Sequence, residues 1–172
     1  MFMIFRHEDF WVFAYGSLIW DFPYDLPKAK ALLYGYHRAL CVYSWVYRGT
    51  KQNPGLVLGL DRGGCCHGFA YKVPPAQCQI IQDYLWQREM VTKVYIPRKA
   101  ALYIEGRPQP GLIFVADAKH EQYAGTLPIE RQQALIFDAH GQAGDNKTYV
   151  ENTLTSLQAA GIRDRTLEKV LA

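Results

Sequence analysis

At 172 residues, with 49% hydrophobic and 20% charged side chains, the chain is expected to form a single domain over residues 1–172 around one sizeable core. Its net charge of +3 is spread thinly, with no run of basic residues and no basic helix face, which argues against a nucleic-acid partner. No stretch approaches the roughly 18 apolar residues of a membrane span, and "MFMIFRHEDF" turns acidic too early for a signal peptide, so no membrane association and a cytoplasmic location are expected.

In chain order, "WVFAYG" (11–16) reads as a short, fully apolar and therefore buried strand. "ALLYGYHRALCVYSWVY" (31–47) reads as a long strand rich in aromatic and β-favouring residues, with Gly35 marking a bulge or bend. "NPG" (53–55) is a turn, "LVLGLD" (56–61) a strand, "RGG" (62–64) a second turn and "CHGFAYKV" (66–73) another strand. "PPAQCQIIQDYLWQREM" (74–90) reads as a helix with proline in its first turn. Residues 95–117 look like two strands joined by "EGRPQP". Helical patterns over 128–141, 147–161 and 163–172 close the chain, with Gly141 and Gly161 placed as helix C-caps. Without a repeating βαβ pattern, this order predicts an α+β fold whose mixed or antiparallel sheet closes as a small β-barrel with packed helices.

The cysteines, Cys41, Cys65, Cys66 and Cys78, have no C-x-x-C spacing, and the five histidines have no metal-ligand spacing. Reduced thiols, no metal and no cofactor are therefore expected. Glu89 is the most informative acid. Cys78, Ile81 and Leu85 fall on one helix face, and Glu89 continues that apolar stripe by one more step of four. It is either a surface carboxylate paired with Lys93 or Arg88, or a buried one whose raised pKa suits acid–base work.

"FAYGSLIWDF" (13–22) places a glycine and a serine inside an apolar run. Ser17 lacks the second glycine of a nucleophile elbow, and no His–Asp arrangement announces a triad. A strand end followed by small residues offers instead the backbone N–H groups of Ser17, Leu18 and Ile19 to a carboxylate or carbonyl oxygen, with close approach at Gly16. Tyr149 sits just inside a helix start, with Asn146 as its cap. Arg48, in "YRGT", either meets a substrate carboxylate or lies in solvent.

In their order along the chain, "FAYGSLIW", "YRGT", "NPGLVLGLDRGGCCHGFAYKV", "YLWQREMVT", "YIPR" and "GDNKTYVENT" resemble the ChaC-type γ-glutamylcyclotransferases, from about Val12 to about Leu157. The resemblance implies a small barrel with helices around it and a lyase-type, cofactor-independent reaction on glutathione. The substrate's α-amine would attack its own γ-carbonyl, releasing 5-oxoproline and cysteinylglycine. It implies further that Glu89 is the catalytic acid/base and that Tyr15, Gly16, Ser17, Leu18, Ile19 and Trp20 hold the γ-glutamyl group. Arg48 is a candidate for the glycine carboxylate, and Tyr149 for a further substrate contact. The alternatives are a cyclotransferase for other γ-glutamyl amines or dipeptides, a non-catalytic binding module of the same fold, and a hydrolase using Ser17.

Overall fold

The computed structural model of the chain describes residues 3–172. Five strands, β1 (Phe10–Ala14), β2 (Lys28–Ser44), β3 (Gly55–Val73), β4 (Tyr95–Ile104) and β5 (Arg107–Ala116), close into a barrel in the order β1-β3-β2-β4-β5. All neighbours are antiparallel except β5 and β1, which meet in parallel at Trp11–Gly111 and Val12–Leu112 and close the barrel. The expected mixed α+β barrel is what forms. Fully buried side chains such as Phe10, Phe13, Leu33, Leu60, Leu102 and Ile113 form one continuous core on the faces of these strands.

The long β2–β3 hairpin corrects one expectation. "RGG" is not a turn between strands but a bulge inside a continuous strand: Arg62 pairs with Tyr36, Cys65 with Tyr34, and Gly63 and Gly64 take φ of 99° and 70°. Gly35, opposite them, has φ 87° and forms the expected irregularity in β2. Only the pairing with the partner strand distinguishes this bulge from a turn, since both need the same glycine conformation. The β4–β5 connection is tighter than "EGRPQP". Glu105 and Gly106, at φ 50° and 74°, make a two-residue hairpin turn.

A one-turn 3-10 segment, Pro75–Gln77, leads into α1 (Cys78–Glu89), and α2 (Ile129–Asp138), α3 (Asn146–Ala159) and α4 (Arg165–Leu171) follow. Gly161, at φ 73°, ends α3 as expected: its N–H donates to Gln158 and that of Ile162 to Leu157, both to carbonyls. Gly141 does not cap α2. The helix stops at Asp138, Ala139 is extended, and a small hairpin of β6 (His140–Gly141) and β7 (Gly144–Asp145) follows. Tertiary contact explains the early stop. The Gln142 and Ala143 N–H groups donate to the Val46 and Tyr47 carbonyls, and a Cβ at Gly141 would lie 2.4 Å from the Tyr47 carbonyl carbon. This hairpin buttresses the loop that carries Arg48.

Candidate active site

The apolar stripe of α1 is buried as its spacing demands, Cys78 at 2% exposure and Ile81 and Leu85 at 0%. The stripe carries Glu89, the last helical residue, to a cavity wall, where its side chain keeps 15% exposure. Burial pushes the Glu89 carboxyl above the usual carboxylate range, and the adjacent guanidinium of Arg88, with Nε 3.4 Å from Oε1, partly opposes that rise. The cation beside Glu89 is therefore Arg88 and not Lys93. Arg88 also donates to Asp21 Oδ2 at 3.2 Å, to the Tyr84 hydroxyl at 3.0 Å and to Ser17 Oγ at 2.8 Å. Burial disfavours its charge, but Glu89, Tyr84 and Asp21 outweigh that and hold its pKa up.

The glycine-bearing turn lies against the same wall. Beyond β1, residues Ser17–Ile19 form a single 3-10 turn in which Ile19 N–H donates to Gly16 and Trp20 N–H to Ser17. Of the three amides expected to face outward, Ile19 N–H is thus turned inward. Among the described residues, the Ser17 and Leu18 amides meet no protein acceptor. The turn is anchored behind by Tyr71, whose hydroxyl donates to the Leu18 carbonyl at 2.9 Å, and by Trp20, whose Nε1 donates to Thr153 Oγ1 at 3.1 Å. The buried Tyr15 hydroxyl donates to the Phe114 carbonyl, and burial raises its pKa well above the ordinary tyrosine value.

The first half of β3 presents a strand edge that side chains complete. Asn146 was expected to cap α3, but its amide acts like a neighbouring strand: Oδ1 accepts from Leu56 N–H at 2.7 Å and Nδ2 donates to the Leu56 carbonyl at 2.8 Å. Asp145 takes the position before the helix instead. One pair further along, Leu58 N–H donates to the Tyr149 hydroxyl oxygen at 3.0 Å and the Leu58 carbonyl accepts from the Tyr95 hydroxyl at 2.8 Å. Tyr149 therefore accepts from the backbone and keeps its own proton for another partner. Burial pushes its pKa up to about 12.

Two connected hollows result. The larger, about 450 Å³, has Ser17, Arg48, Arg88, Glu89, Tyr95 and Tyr149 in its wall, and the smaller, about 40 Å³, has Tyr15, Gly16, Ser17, Leu18, Glu89 and Tyr149. Ser17, Glu89, Tyr95 and Tyr149 belong to both. Ile19 and Trp20 border neither; they lie behind the turn. Arg48 borders only the larger hollow. Its Nη1 donates to the Asp145 carbonyl at 3.0 Å, its guanidinium stacks 5.4 Å from the Tyr149 ring centre, and burial lowers its pKa. Sequence reasoning missed Tyr95, Asp21 and Tyr84; nothing local in "YIPR" or "YLWQ" shows that a hydroxyl will meet this cavity.

The arrangement combines a carboxyl of raised pKa, two unpaired amides in the same wall, and a cation lining the larger hollow, which is of ligand-binding size. Among the described residues, no three His, Cys, Asp or Glu side chains gather as metal ligands do, and no helix is long and apolar enough to cross a membrane. The family model described as ChaC-like protein matches residues 10–172. This chain belongs to the ChaC-like family. The ChaC-like chain is 32% identical to the glutathione-specific gamma-glutamylcyclotransferase of Escherichia coli, over 94% of its own length and 71% of that protein's. Against the human glutathione-specific gamma-glutamylcyclotransferase 1 it is also 32% identical, over 88% of its length and 71% of the relative's. It shares its fold with a yeast gamma-glutamyl cyclotransferase specific to glutathione, with a TM-score of 0.86 at 21% identity, covering 95% of this chain and 94% of that one.

Proposed function

We propose that this ChaC-like protein is a γ-glutamylcyclotransferase that cleaves glutathione to 5-oxoproline and cysteinylglycine. The observation that carries the proposal is the meeting of Glu89 with the unpaired Ser17 and Leu18 amides in one cavity. The glutathione α-amine is an ammonium near neutral pH and cannot attack until a base removes its proton. Glu89, with a pKa raised by burial, is matched to that transfer. The freed amine forms the Nα–Cδ bond, and the charge that builds on the γ-carbonyl oxygen is received by the Ser17 and Leu18 amides and the Tyr149 hydroxyl. The Cδ–N bond to cysteine then breaks as Glu89 returns that proton to the leaving nitrogen, and the second Nα proton passes through the regenerated carboxylate to the released cysteine amine, which leaves the neutral ring nitrogen of 5-oxoproline. No water enters the bond-making step.

Ring closure needs the γ-glutamyl group folded on itself, so holding both ends of the substrate lowers the barrier. The small hollow takes the γ-glutamyl end, and Arg48, reached only from the large hollow, takes the glycine carboxylate. The four free thiols, three of them buried, favour a reducing compartment such as the cytoplasm as the place of work. Incubation with glutathione, γ-glutamylalanine and γ-glutamyl-ε-lysine, followed by mass spectrometry, tests the reaction. The expected result is 5-oxoproline from glutathione. Product from the other two alone overturns the glutathione assignment, and free glutamate indicates hydrolysis.

A further inference from the structure

A buried cation outside the cavity holds the catalytic turn from behind. Arg38, in β2 opposite Leu60, keeps only 6% side-chain exposure yet bonds to three other parts of the fold. Its Nε donates to the Tyr15 carbonyl at 2.6 Å, its Nη2 to the His67 carbonyl in β3, and its Nη1 to Asp164 Oδ2 at 3.1 Å. Asp164 is itself committed, since its other oxygen caps α4 by accepting from the Thr166 and Leu167 amides. A charge this buried needs every one of these partners. The planar fork of arginine can meet a carboxylate and two carbonyls at fixed angles, and an ammonium cannot.

The bond to Tyr15 bears on the chemistry. A 3-10 turn beginning one residue earlier would pair the Tyr15 carbonyl with the Leu18 N–H. Here the Tyr15 carbonyl is turned to Arg38, the turn begins at the Gly16 carbonyl, and the Leu18 amide is left for a ligand. The same guanidinium also grips β3 where β1 leaves it. Ala14 is the last residue of β1 to pair, with Phe69, and a Cβ at the neighbouring Gly68 would lie 2.5 Å from the Ala14 carbonyl oxygen. The departure of the chain into the turn is thus fixed on both sides.

We propose that Arg38 is a positioning residue for the cyclisation, orienting the Tyr15–Gly16 peptide so that the Ser17 and Leu18 amides face the reacting carbonyl, and tying that orientation to the docking of α4. The inference rests on the glutathione reading above. Its test is Arg38→Lys, which keeps the charge opposite Asp164 but loses the fork, alongside Arg38→Gln. Both are assayed for 5-oxoproline well below their melting transitions. A loss of about ten- to a hundredfold in kcat per folded molecule, with KM within about threefold, is expected, because the amides act on the transition state. Titration of each folded protein with 5-oxoproline should shift the Ser17 and Leu18 amide NMR resonances in the wild type and not in Arg38→Lys. A purely structural role lowers the melting temperature and leaves kcat unchanged, and that result overturns the proposal. Wild-type amides that ignore 5-oxoproline overturn it as well, even if neither variant folds. A wild-type chain inactive on every γ-glutamyl substrate overturns the parent reading, and this one with it; an active wild type with fully active Arg38 variants overturns this one alone.

Discussion

Leu58 N–H, near the start of β3, donates to the hydroxyl oxygen of Tyr149 rather than to another strand, at 3.0 Å. A strand edge thereby aims a tyrosine proton at the cavity. Tyr149→Phe removes the acceptor of a buried amide, which costs about 1–3 kcal/mol of stability. If that proton is offered to the substrate as proposed, turnover should also fall by about tenfold or more. Urea denaturation and the 5-oxoproline assay check the two effects separately. A phenylalanine variant as stable and as active as the wild type contradicts this role.

Arg48 stacks on the Tyr149 ring and keeps a donor face in the large hollow. If it receives the glycine carboxylate, Arg48→Met should raise KM for glutathione about tenfold while changing kcat by no more than about threefold. Steady-state kinetics decide the point, and an unchanged KM moves the carboxylate site elsewhere.

The Arg88 guanidinium lowers a Glu89 pKa that burial raises. If Glu89 is the base it must be ionised, so kcat/KM should fall as pH drops through that pKa. Arg88→Met removes the opposing cation, raises the Glu89 pKa further and should carry the acidic limb of the profile to higher pH. A limb that stays put or moves to lower pH contradicts the pairing.

Ser17 Oγ accepts from Arg88 Nη2 at 2.8 Å, and among the described residues it donates to no base. Ser17→Ala keeps the backbone amide and should retain activity within about tenfold, against the loss of about a thousandfold or more expected for a nucleophile. Loss on that scale, with free glutamate as product, would favour the hydrolase.

Glu89 was legible only in part: helix periodicity singled it out but left a surface carboxylate open, and the family resemblance pointed to the buried one. With Cys78, Ile81 and Leu85 buried, a residue four further along lies on the same helix face, at the rim or inside the same interior. The turn at Gly16 was legible for a similar local reason, although the direction of the Ile19 amide was not, since it depends on which carbonyl opens the 3-10 turn. Partners distant in sequence stayed hidden. Asn146 looks like a helix cap, and nothing nearby reveals that its amide will complete β3 at Leu56, 90 residues away. Arg38 sits in "YHRALC" as any strand arginine would, and Tyr95 gains its meaning only when the barrel brings it to Leu58. The "RGG" bulge and the early end of α2 belong to the same class, because in both a non-local contact overrides a local signal.

If Glu89 moves the proton, Glu89→Gln removes the group on which the reaction depends. Because burial holds the folded carboxyl above its unfolded pKa, its contribution to stability is present below the unfolded value and lost as pH rises through the folded one. The glutamine variant should therefore melt higher than the wild type at neutral pH, with the gap closing in acid. A folded, more stable Glu89→Gln protein that forms 5-oxoproline from glutathione at least about a thousandfold more slowly is the predicted result. A folded variant with near-normal turnover contradicts the mechanism.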